Sequence, residues 1–213
     1  LPYVYQKLLP DTAYAKRFNH KQYTVSGIIF YWGIDKVYPE LRHHNVFLSK
    51  DYRESFTRTS MDNTMSENPT VYINAPARTD STAAPPNQDT LYAMVEVSHL
   101  EDGKKQDWEK MKLIARSTIL RRLSKIGIND FEKHIKFEIS YGPYDWLSRF
   151  NLTRGSTFSL RSNPSQTAYF RPKKRHHKYK NLYFVGANTH PGNGVPMSIL
   201  SAQMTAERII KEN

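Results

Sequence analysis

The sequence predicts an α+β fold: one sheet with irregular connections, a long helix beside it, and a late strand and helix of α/β character. Three observations carry this. Short segments rich in β-branched and aromatic residues recur between positions 23 and 140. One amphipathic helix interrupts them, without the regular strand–helix alternation of a complete doubly wound domain. Near the carboxyl end, an apolar run closing on Gly186 passes through a loop of glycines and prolines into a second helix.

In chain order, Leu9-Pro10-Asp11 reads as a turn and Thr12 to Phe18 as helical, so the chain opens like the middle of something longer, a fragment. Tyr23 to Ile34 (YTVSGIIFYWGI) reads as a strand, and alternation puts Ile28, Phe30, Trp32 and Ile34 on one large apolar face. Such a face is ordinary core or, alternatively, the wall of an apolar ligand site. Asn45 to Ser49, Val71 to Asn74, Thr90 to Val97 and His134 to Ser140 give the other strands, with DSTAAPPNQD (80–89) as the plainest turn region. Gln106 to Ile126 is the clearest helix. Its Trp108, Met111, Ala115, Ile119 and Leu123 recur at spacings of three and four, Lys and Arg occupy the other side, and Gly127 ends it. Asn181 to Gly186 (NLYFVG) predicts a buried strand whose carboxyl end admits close approach. The last helix is expected from Pro196 to about Lys211, with Ile199, Ala202, Ala206, Ile209 and Ile210 on its packed face. Pro196 falls in the first turn, where a missing N–H costs nothing.

Composition excludes several classes of function. The chain of 213 residues has no cysteine, hence no disulfide, thiolate metal site or cysteine nucleophile. Its longest apolar run, Ile28 to Ile34, is far shorter than the roughly 20 residues of a spanning helix. A formal charge of +11 favours anionic partners. The densest cluster, RPKKRHHKYK (171–180), is either a solvated turn or a patch for anionic lipid headgroups. Tyr169, Phe170 and Tyr179 are not spaced like a base-stacking module, which argues against nucleic acid. His43-His44 and His176-His177 are neighbours that should point apart on a strand, and no metal is expected at them. Asn151-Leu152-Thr153 is a formal glycosylation acceptor, silent without a secretory context.

The chemistry-bearing segment is ANTHPGNGVP (187–196), between the predicted strand and the last helix. The first N–H groups of a helix lack intrahelical partners and carry partial positive charge, so they suit an electron-rich ligand atom. Gly192 and Gly194 remove side chains that would hold a flat ring away. The dinucleotide fingerprint G-x-G-x-x-G occurs nowhere in the chain, so an amino-terminal dinucleotide-binding unit is absent from it.

At these residues a family becomes visible. NLYFVGANTHPGNGVPMSILSAQMTAERI (181–209) resembles the closing motif of the bacterial and fungal phytoene desaturases, members of the carotenoid and retinoid oxidoreductases. The similarity continues upstream through QTAYFRP (166–172), FNLTRGSTF (150–158), HIKFEISYG (134–142), YINAPARTD (72–80) and FYWGID (30–35), in the style of the fungal members. The resemblance implies the carboxy-terminal part of a two-domain, FAD-dependent, amine-oxidase-like flavoprotein. Residues 1–165 would form the substrate-binding region, and 166–213 the end of the FAD domain with its last strand and helix. It implies that Gly186 and Ala187 pass beside the ribityl and phosphate side of FAD. Gly194, Val195, Pro196 and Met197 would present backbone to the ring. Many relatives carry an acidic residue where this chain has Ala187.

The implied reaction is desaturation of phytoene toward lycopene, or on to 3,4-didehydrolycopene, with NAD(P) or a quinone as the candidate acceptor beyond the flavin. Phytoene and partly desaturated carotenes are the implied ligands. An anionic intracellular membrane surface, endomembrane or otherwise lipid-rich, is the implied location, and an oligomer is compatible. No residue stands out as catalytic proton acceptor, and the isolated piece is expected to be inactive. Two readings stay open beside this one: a basic lipid- or nucleic-acid-binding module without redox chemistry, and a related flavoprotein acting on another isoprenoid or polyene.

Overall fold

The computed structural model describes residues 2–7, 9, 12–60, 65–101 and 106–212. Two helices, α1 (Pro2–Lys7) and α2 (Thr12–Asn19), precede strand β1 (Ser26–Ile34). Then come β2 (His44–Phe47), α3 (Tyr52–Ser60), β3 (Val71–Asn74) and β4 (Asp89–Val97). The long helix α4 (Trp108–Ser124) leads to β5 (Ile135–Tyr141), α5 (Pro143–Phe150) and the final helix α6 (Val195–Glu212). The strands make one antiparallel sheet in the order β2-β3-β4-β1-β5. This is the α+β architecture expected. All five strands between 26 and 141 fall where the alternation puts them, β1 shortened because Tyr23 makes only an isolated bridge to Leu160.

Period-two alternation decides which side of the sheet is buried. Ile28, Phe30, Trp32 and Ile34 of β1 and Leu91, Ala93, Val95 and Val97 of β4 are all essentially inaccessible. Val71 and Ile73 continue the layer. Ala115, Ile119 and Leu123 of α4 close over it, so the predicted helix face packs and the β1 apolar face is core rather than ligand wall. The Trp32 indole N–H donates to Glu138 (2.8 Å), whose carboxylate also takes Arg116 of α4 (2.9 Å), tying the edge strand to the helix. Asp107 caps α4 by accepting from the Lys110 N–H (3.0 Å), and Gly127 follows its end with φ +95°. One basic residue of α4 is not on the solvent side. Arg122 is buried and donates to Asn68 Oδ1 (2.8 Å) and the Pro69 carbonyl (3.2 Å), anchoring the chain that enters β3.

Three expectations need correction. Residues 181–186 form no sheet strand: they are extended, with one bridge, Arg175 to Tyr183, and Val185 is exposed. A buried strand is made by its neighbours, and among the described residues only the short stretch 174–176 pairs with this one, through the His176 N–H to the Leu182 carbonyl (2.9 Å) and the Phe184 N–H to the Lys174 carbonyl (2.6 Å); the Phe184 side chain packs on Tyr5, Ala15 and Phe18. Helix α6 lies where predicted but turns its small polar side inward, burying Ser201 and Thr205. Ile199 (66% exposed) and Ile210 (79%) face out, and Ala202, Ala206 and Ile209 are exposed with them. Periodicity identifies an amphipathic helix, not which face its own chain covers. The paired histidines do not point apart: the rings of His43 and His44 lie 4.3 Å apart, those of His176 and His177 4.6 Å. Of the turn at Leu9-Pro10-Asp11, Pro10 and Asp11 lie outside the described residues.

Ile119→Ala should destabilise the protein by about 2–5 kcal/mol in urea unfolding, because its side chain fills the sheet–helix layer. Leu113→Ala, on the exposed side of the same helix, should stay within about 0.5 kcal/mol. Hydrogen bonds from Lys36 (2.5 Å) and Tyr38 (2.9 Å) hold the Asp130 carboxyl down to about 2. A lowered carboxyl stabilises above its unfolded value of roughly 4 and loses that contribution as pH falls toward the folded value. Asp130→Asn should therefore flatten the loss of stability across that acid interval, measured by unfolding at stepped pH.

Candidate functional site

Between the extended segment and α6, the glycine loop is held from both ends. The Gly186 N–H donates to Ser201 Oγ (3.3 Å), and the Gly186 carbonyl accepts from the Thr189 N–H (3.0 Å) and hydroxyl (3.0 Å). Thr189 Oγ1 and Ser201 Oγ are themselves 2.9 Å apart, both fully buried. This bond explains why α6 faces inward with its polar side: Ser201 is the peg on which the loop hangs. Gly186 (φ +104°) and Gly194 (φ +104°) both occupy the left-handed region, where side chains are strained. A Cβ at either would meet nothing within 4 Å, so both flank open space.

Of the residues expected at a cofactor, Gly186 and Ala187 stand at one end of this loop, and Gly194, Val195, Pro196 and Met197 at the other. The Thr189–Ser201 contact joins the two ends. The Ala187 carbonyl turns inward to accept from Arg171 Nη1 (2.9 Å). Gly194 accepts from the Ser198 N–H (2.9 Å), and the first turn of α6 is open, with Val195 75% exposed. An open helix amino terminus beside two glycines whose missing side chains leave free space fits the approach of a flat, electron-rich ring such as that of FAD.

The second feature is the side of the sheet facing away from α4. There Tyr72, Tyr92, Tyr31 and Tyr141 form a row across β3, β4, β1 and β5, with successive ring centroids 6.0, 5.4 and 6.0 Å apart. The register makes the row: Tyr31 lies opposite Tyr92, and Tyr72 opposite Met94. Trp146 of α5 extends it (5.3 Å from Tyr141) and donates its indole N–H to the Gly27 carbonyl (2.8 Å). Phe137, whose ring occupies the space left by Gly33, and Ile139 are about half exposed beside the row. Burial pushes the Tyr92 hydroxyl up to about 12. This face is apolar, aromatic and only partly covered.

Two neighbouring cavities lie between the face and the loop, a candidate passage. One, of about 220 Å³, lies between α3 and the sheet against Tyr72 and Met94. The other, of about 240 Å³, runs past Phe158 and His99 to Asn193 of the loop. Both are lined by Phe56 and Glu96. Desolvation raises the pKa of Glu96 and lowers that of His99, so both groups are biased toward neutrality along this passage. Sequence reading missed the tyrosine row and Arg171. The row was legible in β4, where Tyr92, Met94 and Glu96 alternate with small aliphatics. Arg171 was hidden inside a charge run.

No family model matches the chain. Among solved structures, an oxidoreductase from Methanosarcina mazei matches with a TM-score of 0.51 at 15% identity, over 95% of this chain and 39% of that one. At that identity the likeness is one of fold. In sequence, relatives that match over essentially all of this chain include several phytoene desaturases and a 4,4'-diapophytoene desaturase. That of Fusarium fujikuroi is 37% identical over 100% of this chain and 40% of its own length. The zeta-carotene-forming phytoene desaturase of Myxococcus xanthus is 41% identical over 99% of this chain and 40% of its own length. A 4,4'-diapophytoene desaturase of Staphylococcus aureus is 34% identical over 99% of this chain and 44% of its own. The chain thus spans about two fifths of the length of these relatives.

Ser201→Ala should strip the Gly186 N–H of its acceptor and the Thr189 hydroxyl of one of its two partners, at a cost of about 1–3 kcal/mol. Amide exchange at 186–189 should quicken while that of β1 and β4 is unchanged.

Proposed function

We propose that this chain supplies the polyene-binding sheet and the carboxy-terminal flavin edge of an FAD-dependent phytoene desaturase. The observation that carries this is similarity to phytoene desaturases from the first residues to the last, including the glycine loop. Residues up to 165 would be the substrate region, and those from 166 the end of the FAD domain.

The chemistry an FAD held at this loop supplies is acceptance of a hydride from the polyene, a proton being lost from the neighbouring carbon as the new double bond forms. The backbone of Gly194 to Met197 and the open amino terminus of α6 would face the ring and favour the negative charge that reduction places there. Gly186 and Ala187 would pass the ribityl chain. The tyrosine row, Phe137 and Ile139 would take a substrate that offers nothing to hydrogen-bond, and the passage by Phe56 would lead it toward Asn193. Water is displaced from the face as the polyene enters, which keeps the reacting carbons in an apolar setting. Phytoene and its partly desaturated products are the expected ligands, lycopene or 3,4-didehydrolycopene the end product, and NAD(P) or a quinone the candidate final acceptor.

A membrane-lying substrate suits contact with an anionic intracellular membrane. A cavity of about 620 Å³ lined by Arg17, Lys21, Lys173 and Tyr169 supports that contact, its lining holding no carboxylate. No helix among the described residues is long and apolar enough to cross a membrane.

The test is expression of the full-length protein carrying this chain in a phytoene-accumulating bacterium. Coloured polyenes are expected, and their absence would sink the assignment. Ile139→Lys, on the half-exposed face, should leave stability within about 0.5 kcal/mol yet lower product by about tenfold, because a charge there cannot be buried under a polyene.

A further inference from the structure

Arg171 begins the basic run yet is only 4% exposed, and among the described residues no carboxylate pairs with it. Its guanidinium is spent on the glycine loop. Nη1 donates to the Ala187 carbonyl (2.9 Å) and Nη2 to Ser162 Oγ (3.2 Å), while Nε is buried with no hydrogen-bond partner. The plane of the guanidinium lies under Gly192. A Cβ built there would stand 3.3 Å from Nη2, 3.5 Å from Cζ and 3.6 Å from Nε, at a φ of +148°.

Burying a cation without an anion is costly, so the contacts it makes must be ones a smaller or neutral side chain cannot supply. Lysine cannot: its single ammonium does not offer two donors in a fixed plane that can also lie flat against a backbone. The two acceptors belong to different parts of the molecule. Ala187 opens the glycine loop, and Ser162 follows Arg161, which lines the passage from the sheet.

We propose that Arg171 is a positioning residue, a clamp that fixes the height of the 187–194 loop against the segment bearing Ser162 and so aligns the flavin edge with the polyene passage. This rests on the desaturase reading above. Gly192 is the second half of the device: at its φ of +148° an L side chain is strained, and a Cβ would press on the guanidinium at 3.3 Å.

The test uses the full-length protein carrying this chain, compared with Arg171→Ala and Gly192→Ala. Arg171→Ala should quicken amide exchange at 187–194 and weaken FAD binding about tenfold, with β1 and β4 exchange unchanged. Added guanidinium ion at sub-denaturing concentration should restore FAD affinity, and methylammonium should not. A merely structural residue would show no such selective rescue. Gly192→Ala should reproduce the loss of FAD affinity without rescue, because its methyl group presses on the guanidinium and strains the loop at a φ of +148°. Wild-type loop exchange and FAD affinity in either variant would overturn the clamp. Should Arg171→Ala unfold, Gly192→Ala decides alone. A wild-type protein that forms no polyene strikes the desaturase reading instead, and loop exchange in the variants still decides the clamp.

Discussion

The pairing of β1 with β4 is the constraint on which the rest hangs. With Trp32 opposite Leu91 and Tyr31 opposite Tyr92, one face of the sheet becomes aliphatic core and the other becomes an aromatic row. A slip of one residue would exchange the two faces. The closure of α4 over Ile28, Trp32 and Val95 removes that freedom, because only one register buries the aliphatic set. The partly open tyrosine face is then what remains when the core has been satisfied. It is a surface that a soluble monomer would ordinarily cover.

The glycine loop obeys a different logic. It is held by polar groups: Thr189 and Ser201 from one side, Arg171 from the other, with no apolar packing beneath Gly186 or Gly194. Packing would fill the space that a flat ligand needs, whereas hydrogen bonds fix the backbone and leave the space empty. The inward polar side of α6 follows from the same arrangement, and so does the outward turn of Ile199 and Ile210.

Legibility in the sequence followed the range of the interactions. The strands at 26–34, 71–74 and 89–97 and the helix at 108–124 were readable because alternation and 3.6-residue spacing are local signals that burial reinforces. The loop itself was readable through its glycines and prolines. Elements whose partners are distant in sequence were not. Asn181 to Gly186 has the composition of a buried strand, but a strand exists only by its neighbours. Arg171 and His176, embedded in a run of solvated cations, are buried at 4% and 2% exposure by contacts that no local pattern announces.

On the proposed function, the tyrosine face and the glycine loop would be two ends of one redox site, in which a polyene on the sheet reaches a flavin at the loop. Anaerobic mixing of the FAD-loaded full-length protein with phytoene in vesicles tests this most directly, the oxidised-flavin absorbance being followed in a single turnover. Bleaching is expected in step with formation of a new conjugated double bond, slowed when a charge is placed on the sheet face. A flavin that stays oxidised, or bleaching indifferent to that charge, would contradict it.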